Sequence, residues 1–321
     1  MNEAERFFDC AFTERFTRVE LSVLDEKAAL YAAEPGYREA LYELARLPGG
    51  AKAVGPLLRS TAMALFRPDA IALSKVDAAL DYFGRLGIHP VHAVQVRVGR
   101  LAVREIWRYQ LTGASGARIR LLDHVLQAGP AILGFFTADT DTPRLPCTVL
   151  MADAKGPADV FDRQGWELRP HLHSPNRIEV YVHVGDEPAD VLRDGGILLG
   201  PAEFAQAISC QHTAGAATTI RGWARDLAVA GPELEPGVVA ADPVLSVALA
   251  GYGARVRADR WQLIRAAAAT CAMAIGTAGS QISDSGICDW WKSAGLLDNR
   301  ESYFRARTGW TAPGRLADPM P

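Results

Sequence analysis

Residues 178–194 read IEVYVHVGDEPADVLRD, and two local patterns meet inside them. Ile178–His183 is rich in β-branched and aromatic side chains, the composition of a strand. After Gly185 the chain changes character. Asp186 is a good helix N-cap, Glu187 and Pro188 suit a first helical turn, and Gly195-Gly196 is the expected stop. A strand that feeds straight into a helix sets His183 at the strand's C-terminal end, beside a helix N-terminus.

Working outward, Thr61–Phe66 (TAMALF) is a short apolar run closed by Arg67-Pro68-Asp69, as in a buried strand. Val91–Val98 (VHAVQVRV) alternates and reads as a half-buried strand, and Ala131–Thr137 (AILGFFT) is a further strand. Helices are predicted over Lys75–Leu86, with Val76, Ala79, Leu80 and Phe83 on one face, and over Leu101–Leu111 and Ile119–Gln127. The stretch between Thr137 and Ile178, with Gly156-Pro157 and Gly165, reads as a polar loop. The order β-α-β-α-α-β-loop-β-α predicts an α/β (α+β) sandwich, ferredoxin-like if its strands pair antiparallel. Upstream, 19–46 reads as helix with a break at Pro35-Gly36, and Pro48-Gly49-Gly50 ends that region. From Pro201 onward no strand is evident. Arg221–Ala230, Pro243–Ala250 and Arg260–Ile275 read as helices, and the last dozen residues as a loose tail. The division is therefore a helical 1–60, a central domain 61–200 and a mostly helical 201–321.

Composition narrows the class. The chain has 321 residues, 49% hydrophobic and 22% charged, with a net charge of −3, which excludes intrinsic disorder. The longest apolar candidate, Ala266–Gly279, falls short of the roughly 18 residues a membrane span needs. Met1–Arg15 is charged throughout, unlike a secretory leader. Five dispersed cysteines without a Cys-x-x-Cys pair argue against a disulfide framework or structural zinc and for a reducing cytoplasm. The balanced charge gives no footprint for nucleic acid. No Walker loop, dinucleotide fingerprint or G-x-S-x-G elbow occurs.

The chemistry converges on His183. A helix N-terminus carries partial positive charge, which favours an uncharged, nucleophilic ring next to it and an incoming phosphate. Asp194, late on the following helix, is the candidate to accept the other ring N–H.

At this point the chain resembles the nucleoside diphosphate kinases. Their signature N-x-x-H-G-S-D, a proline-containing turn and an acid eleven positions after the histidine are matched by His183, Asp186, Pro188 and Asp194. The family's Lys-Pro-Asp-Gly is matched by Arg67-Pro68-Asp69-Ala70, its Asn/His-Ser-Gly-Pro by Gln127-Ala128-Gly129-Pro130, and its Asn-Pro-Ala-Asp by Gly156-Pro157-Ala158-Asp159. These occur in family order over about 61–200. The resemblance implies a ferredoxin-like sandwich of nucleoside diphosphate kinase type and a ping-pong phosphoryl transfer from ATP or a similar nucleotide, with Mg2+ bridging its phosphates. His183 is then the nucleophile, or an acid–base group if the substrate is another phosphorylated small molecule, and Asp194 its orienting acid. Arg67, Tyr109 and Arg169 fall where the family contacts phosphate, and His171 and Arg177 are candidates to replace contacts that are missing. Homo-oligomers are implied as well. The chain departs from the pattern at Val180 and Gly185, where the family has asparagine and serine, and at Thr148 and Ala154, near its phosphate-binding arginine and threonine.

Plainer readings stand beside these. Arg67 pairs with Asp69 or Asp186, Asp194 is a helix-end polar group, and His183 is a strand-end histidine. His171 and His173 alternate on an extended segment and, with His183, form a possible metal set. Trp290, Trp291, Tyr303, Phe304 and Trp310 pack onto the main domain. The alternative to an enzyme is a decayed nucleotide-binding or scaffold protein whose helical extensions form a partner surface.

Overall fold

The computed structural model describes residues 2–114, 116–139, 145–210 and 215–230. Its centre is a four-stranded antiparallel sheet in the order β2-β3-β1-β4, made of β1 (Thr61–Phe66), β2 (Ile88–Val96), β3 (Ala131–Ala138) and β4 (Val182–Val184). Strand side chains alternate between faces, so the sheet sorts its residues into two cores. Met63, Leu65, Leu133 and Phe135 face one core, while Ala62, Ala64, Phe66, Ile132 and Phe136 face the other. The register of β2 slips between Pro90 and His92, where proline has no N–H to give the ladder.

A 3-10 turn (Ala4–Phe8) and helices α1 (Cys10–Glu20), α2 (Asp25–Ala33), α3 (Pro35–Ala45) and α4 (Ala51–Ser60) precede the sheet. Then come α5 (Pro68–Ala72), α6 (Val76–Arg85), α7 (Arg100–Ile106), α8 (Gly116–Leu126), α9 (Cys147–Lys155), α10 (Leu168–His171), α11 (Pro188–Leu199), α12 (Pro201–Ser209) and α13 (Ala216–Ala230). The first face of the sheet packs against α3, α4, α7, α11 and α12, and the second against α5, α6, α9, α10 and α13. Helices thus cover both faces. Residues 2–60 have no core of their own among the described residues: Leu41, Leu44 and Leu58 share one cluster with Leu65 and Leu133.

Several local readings change. The helix expected over 19–46 is three helices, with Leu21–Leu24 outside them and Pro35 at the first position of α3. The expected polar loop before β4 holds α9, every residue of which is buried. A helix buried all round has no polar stripe, so periodicity does not reveal it. The helix expected over Leu101–Leu111 stops at Ile106. Of the expected strand Ile178–His183 only Val182 and His183 pair, and the ladder runs on to Val184, because Tyr181 adopts φ +63°. The N-cap of α11 is Glu187 and not Asp186, in a reciprocal capping box with Asp190. Gly195-Gly196 does not end α11. A Cβ on Gly195 would stand 2.2 Å from the Phe204 ring, so that glycine serves close packing of α12.

β4 is an edge strand, and α9 covers it. Lys155 Nζ donates to the Val184 carbonyl at 2.7 Å and Thr148 Oγ1 to the Gly185 carbonyl at 2.8 Å, which occupies the open ladder. Among the described residues no helix is long and apolar enough to cross a membrane. The helices expected over Pro243–Ala250 and Arg260–Ile275, the apolar Ala266–Gly279 and the C-terminal aromatics lie outside the described residues.

Candidate active site at His183

Val182 and Val184 turn into the second core, so His183 between them points to the first face, opposite Leu65 on β1. The chain then turns and returns as α11, about two helical turns of which carry Asp194 back over the strand. His183 Nε2 and Asp194 Oδ2 are 2.8 Å apart. A carboxylate only accepts, so Nε2 carries the proton and Nδ1 presents its lone pair. Nδ1 has no hydrogen-bond partner among the described residues. The Trp107 ring meets the imidazole edge-on with centroids 4.9 Å apart. The His183 side chain is 21% exposed, and that of Asp194 is 9%. A histidine oriented by a buried carboxylate, with its second nitrogen open, can accept a proton or attack an electrophile.

The turn between them is held by carboxylates of the chain itself. Asp190 Oδ2 accepts from the Asp186 and Glu187 amides at 3.0 and 2.9 Å. Glu187 accepts from Ser22 Oγ and the Val23 amide, both at 2.7 Å, and the Ala189 amide donates to the Leu21 carbonyl. The N-terminus of α11 is therefore filled from within and leaves no row of free amides for a phosphate, contrary to the expectation from sequence. Buried Lys27 lies 3.1 Å from Glu187 and 3.0 Å from Asp190. Burial alone lowers its pKa, but the charges of Asp190, Glu187 and Asp186 override that and hold it well above the ordinary lysine value. Partial burial works against ionisation of Asp186, yet Lys155, 3.2 Å away, and Lys27 hold its carboxyl below the usual range.

The residues expected around a phosphate do not gather at His183. Arg67 is buried in a bidentate pair with Asp69, at 3.0 and 2.9 Å, and donates to the Ile178 carbonyl at 2.7 Å. Its Nε–Nη2 edge is taken by Asp69, which realises the plainer ion-pair reading. Burial raises the Asp69 pKa even so, with Arg67 opposing. The Tyr109 hydroxyl donates to Glu34 at 2.8 Å, and burial plus that bond push its pKa up to about 12. Arg177 pairs with Asp159. His171 ends the short α10 and rests on Tyr82, a residue of the second core, so it lies across the sheet from His183. The extended His171–His173 segment is not formed, and the three histidines do not assemble. Among the described residues no group of three His, Cys, Asp or Glu side chains is arranged to hold a metal ion.

Arg169 differs from these. It is 6% exposed, donates through Nη1 to the Gly156 carbonyl, and has no carboxylate at ion-pair distance among the described residues; its buried Nε has no acceptor. Burial, together with the charges of Arg163 and Arg67, pulls its pKa down to about 9, and Asp186 opposes that shift. Asp186 also lies within electrostatic reach of His183, so one carboxylate stands near both groups.

Sequence reading missed Trp107, Lys27, Lys155 and Arg193. Lysine was the one available signal, since the chain keeps only five among its 34 basic residues and two of them are buried beside this turn. No family model matches this chain, and no curated protein does either.

Proposed function

We propose that the chain is a divergent nucleoside diphosphate kinase-like enzyme acting on a nucleotide or another phosphorylated small molecule, with His183 as its reacting group. The single observation that carries this reading is the His183–Asp194 hydrogen bond of 2.8 Å with Nδ1 left open. The antiparallel order β2-β3-β1-β4 with helices on the sheet is compatible with the ferredoxin-like topology of that family. In the reaction, the Nδ1 lone pair attacks the terminal phosphorus of the nucleoside triphosphate. The bond from phosphorus to the bridging oxygen breaks, and the diphosphate leaves with that electron pair. A second diphosphate then takes the phosphoryl group from the ring. Magnesium travels with the triphosphate as part of the substrate. Asp194 holds the Nε2 proton and balances the charge that forms on the ring. Arg169, a buried cation with no carboxylate at ion-pair distance among the described residues, is the proposed contact for the transferring oxygens.

The pairing of Arg67 with Asp69 and of Arg177 with Asp159 favours a second reading, in which the fold is kept as a nucleotide-binding scaffold without transfer. Incubation with γ-labelled ATP and magnesium separates the two. The enzyme reading expects an acid-labile, base-stable label, lost in His183→Ala and reduced in Arg169→Met. Nucleotide binding by calorimetry with no label supports the scaffold.

A further inference from the structure

Glu187, the N-cap of α11, and Asp190 and Arg193 within the helix recur at a spacing of three and so form one stripe along it. Each is met by the single short segment Ser22–Glu34. Ser22 and the Val23 amide hold Glu187. Lys27 and the Tyr31 hydroxyl hold Asp190, at 3.0 and 2.7 Å. Glu34 grips Arg193 with two bonds, 2.7 and 2.9 Å long. Arg193 is 2% exposed, and its guanidinium lies over the Tyr31 and Tyr109 rings at 4.9 and 5.4 Å.

Arg193 also reaches the far side of the site. It donates to the carbonyls of Glu105 and Ile106, at 2.7 and 3.2 Å, which immediately precede Trp107. One guanidinium therefore fixes both neighbours of the imidazole: Trp107 through the end of α7, and Asp194 as the next residue along α11. The geometry also explains why a buried arginine is kept here. Its planar fork bonds Glu34 and two carbonyls at once, which a lysine ammonium does not reproduce.

We infer that Arg193, held by Glu34, is a positioning residue for His183, and that Ser22–Glu34 is a brace that sets α11 against β4. The inference rests on the reading of His183 as the reacting group, but its test does not need phosphoryl transfer. Long-range proton–nitrogen NMR distinguishes the two tautomers of a neutral imidazole. Wild-type His183 is expected to show the Nε2-protonated form alone. Glu34→Gln, which keeps the shape of the contact, and Arg193→Lys, which keeps the charge, are expected to give a tautomer mixture while retaining wild-type far-ultraviolet circular dichroism. Phosphoenzyme formation in both is expected to fall by up to about 100-fold, with nucleotide affinity unchanged, as for a misaligned reacting group. Should Arg193→Lys not fold, Glu34→Gln decides. A folded Glu34→Gln protein with a single Nε2-protonated His183 and a wild-type rate overturns the brace. A tautomer shift in a protein whose wild type takes no phosphoryl group upholds the brace and removes the phosphoryl reading.

Discussion

Replacing Lys27 by methionine keeps most of the side-chain volume and removes one buried ammonium. That ammonium stands 3.0 Å from Asp190 and 3.1 Å from Glu187. At an effective dielectric near 20, each contact is worth about 5 kcal/mol of Coulomb attraction, before the cost of taking the charges out of water. The loss on breaking one side of a buried pair is smaller, about 3–5 kcal/mol, because desolvation cancels much of the attraction. Here the lower end is expected. Glu187 keeps bonds from Ser22 and Val23, and Asp190 keeps those from Tyr31 and two amides. At about 2–4 °C per kcal/mol, the melting temperature should fall by roughly 6–12 °C near neutral pH. The pH dependence has a definite sign. Burial already raises the Glu187 pKa, with Lys27 opposing. Without Lys27 it rises further, and a carboxyl whose folded pKa exceeds its unfolded one destabilises the fold at high pH and less as pH falls. The gap between variant and wild type should therefore narrow from pH 8 to pH 5. Adding Asp190→Asn to Lys27→Met should recover part of the loss. Thermal melts of the three proteins at both pH values are the assay. A Lys27→Met protein within about 1 kcal/mol of wild type at pH 8, or a gap that widens on acidification, refutes the reasoning.

Other outcomes follow from single contacts. Gly195→Ala should destabilise by about 1–3 kcal/mol through its clash with Phe204, although alanine is the better helix former by about 1 kcal/mol; a melt that shows a gain would contradict the packing. Arg67→Met strands Asp69 in the core and should cost about 3–5 kcal/mol in urea unfolding. Asp69 then titrates still higher, so this deficit too should shrink as pH falls. Asp194→Asn can donate to Nε2 and reverses the tautomer, so phosphoenzyme formation should fall by about 10²–10⁴-fold with the fold intact by circular dichroism.

What the sequence discloses depends on how far apart the partners lie. β1 and β3 are visible because short apolar runs buried on both faces need only local context. The His183–Asp194 pair is visible for the same reason, since strand, turn and helix bring together residues only eleven positions apart. The brace is not. Glu34 and Arg193 are 159 positions apart, and neither stands in a motif. α9 escapes notice because uniform burial erases its stripe, and the strand before His183 reads too long because nothing in its composition announces the left-handed Tyr181. Arg67 shows the limit of analogy: a charge at the expected position binds its own neighbour, Asp69, and not a ligand.

The most direct test is the site of attachment on the ring. Protein incubated with magnesium and ATP, then held at alkaline pH, is observed by phosphorus NMR, which distinguishes phosphoryl groups on the two imidazole nitrogens. One phosphohistidine is expected, on Nδ1 of His183, because Nε2 is engaged by Asp194. A phosphoryl group on Nε2, on another residue, or on none in a protein that binds the nucleotide contradicts it.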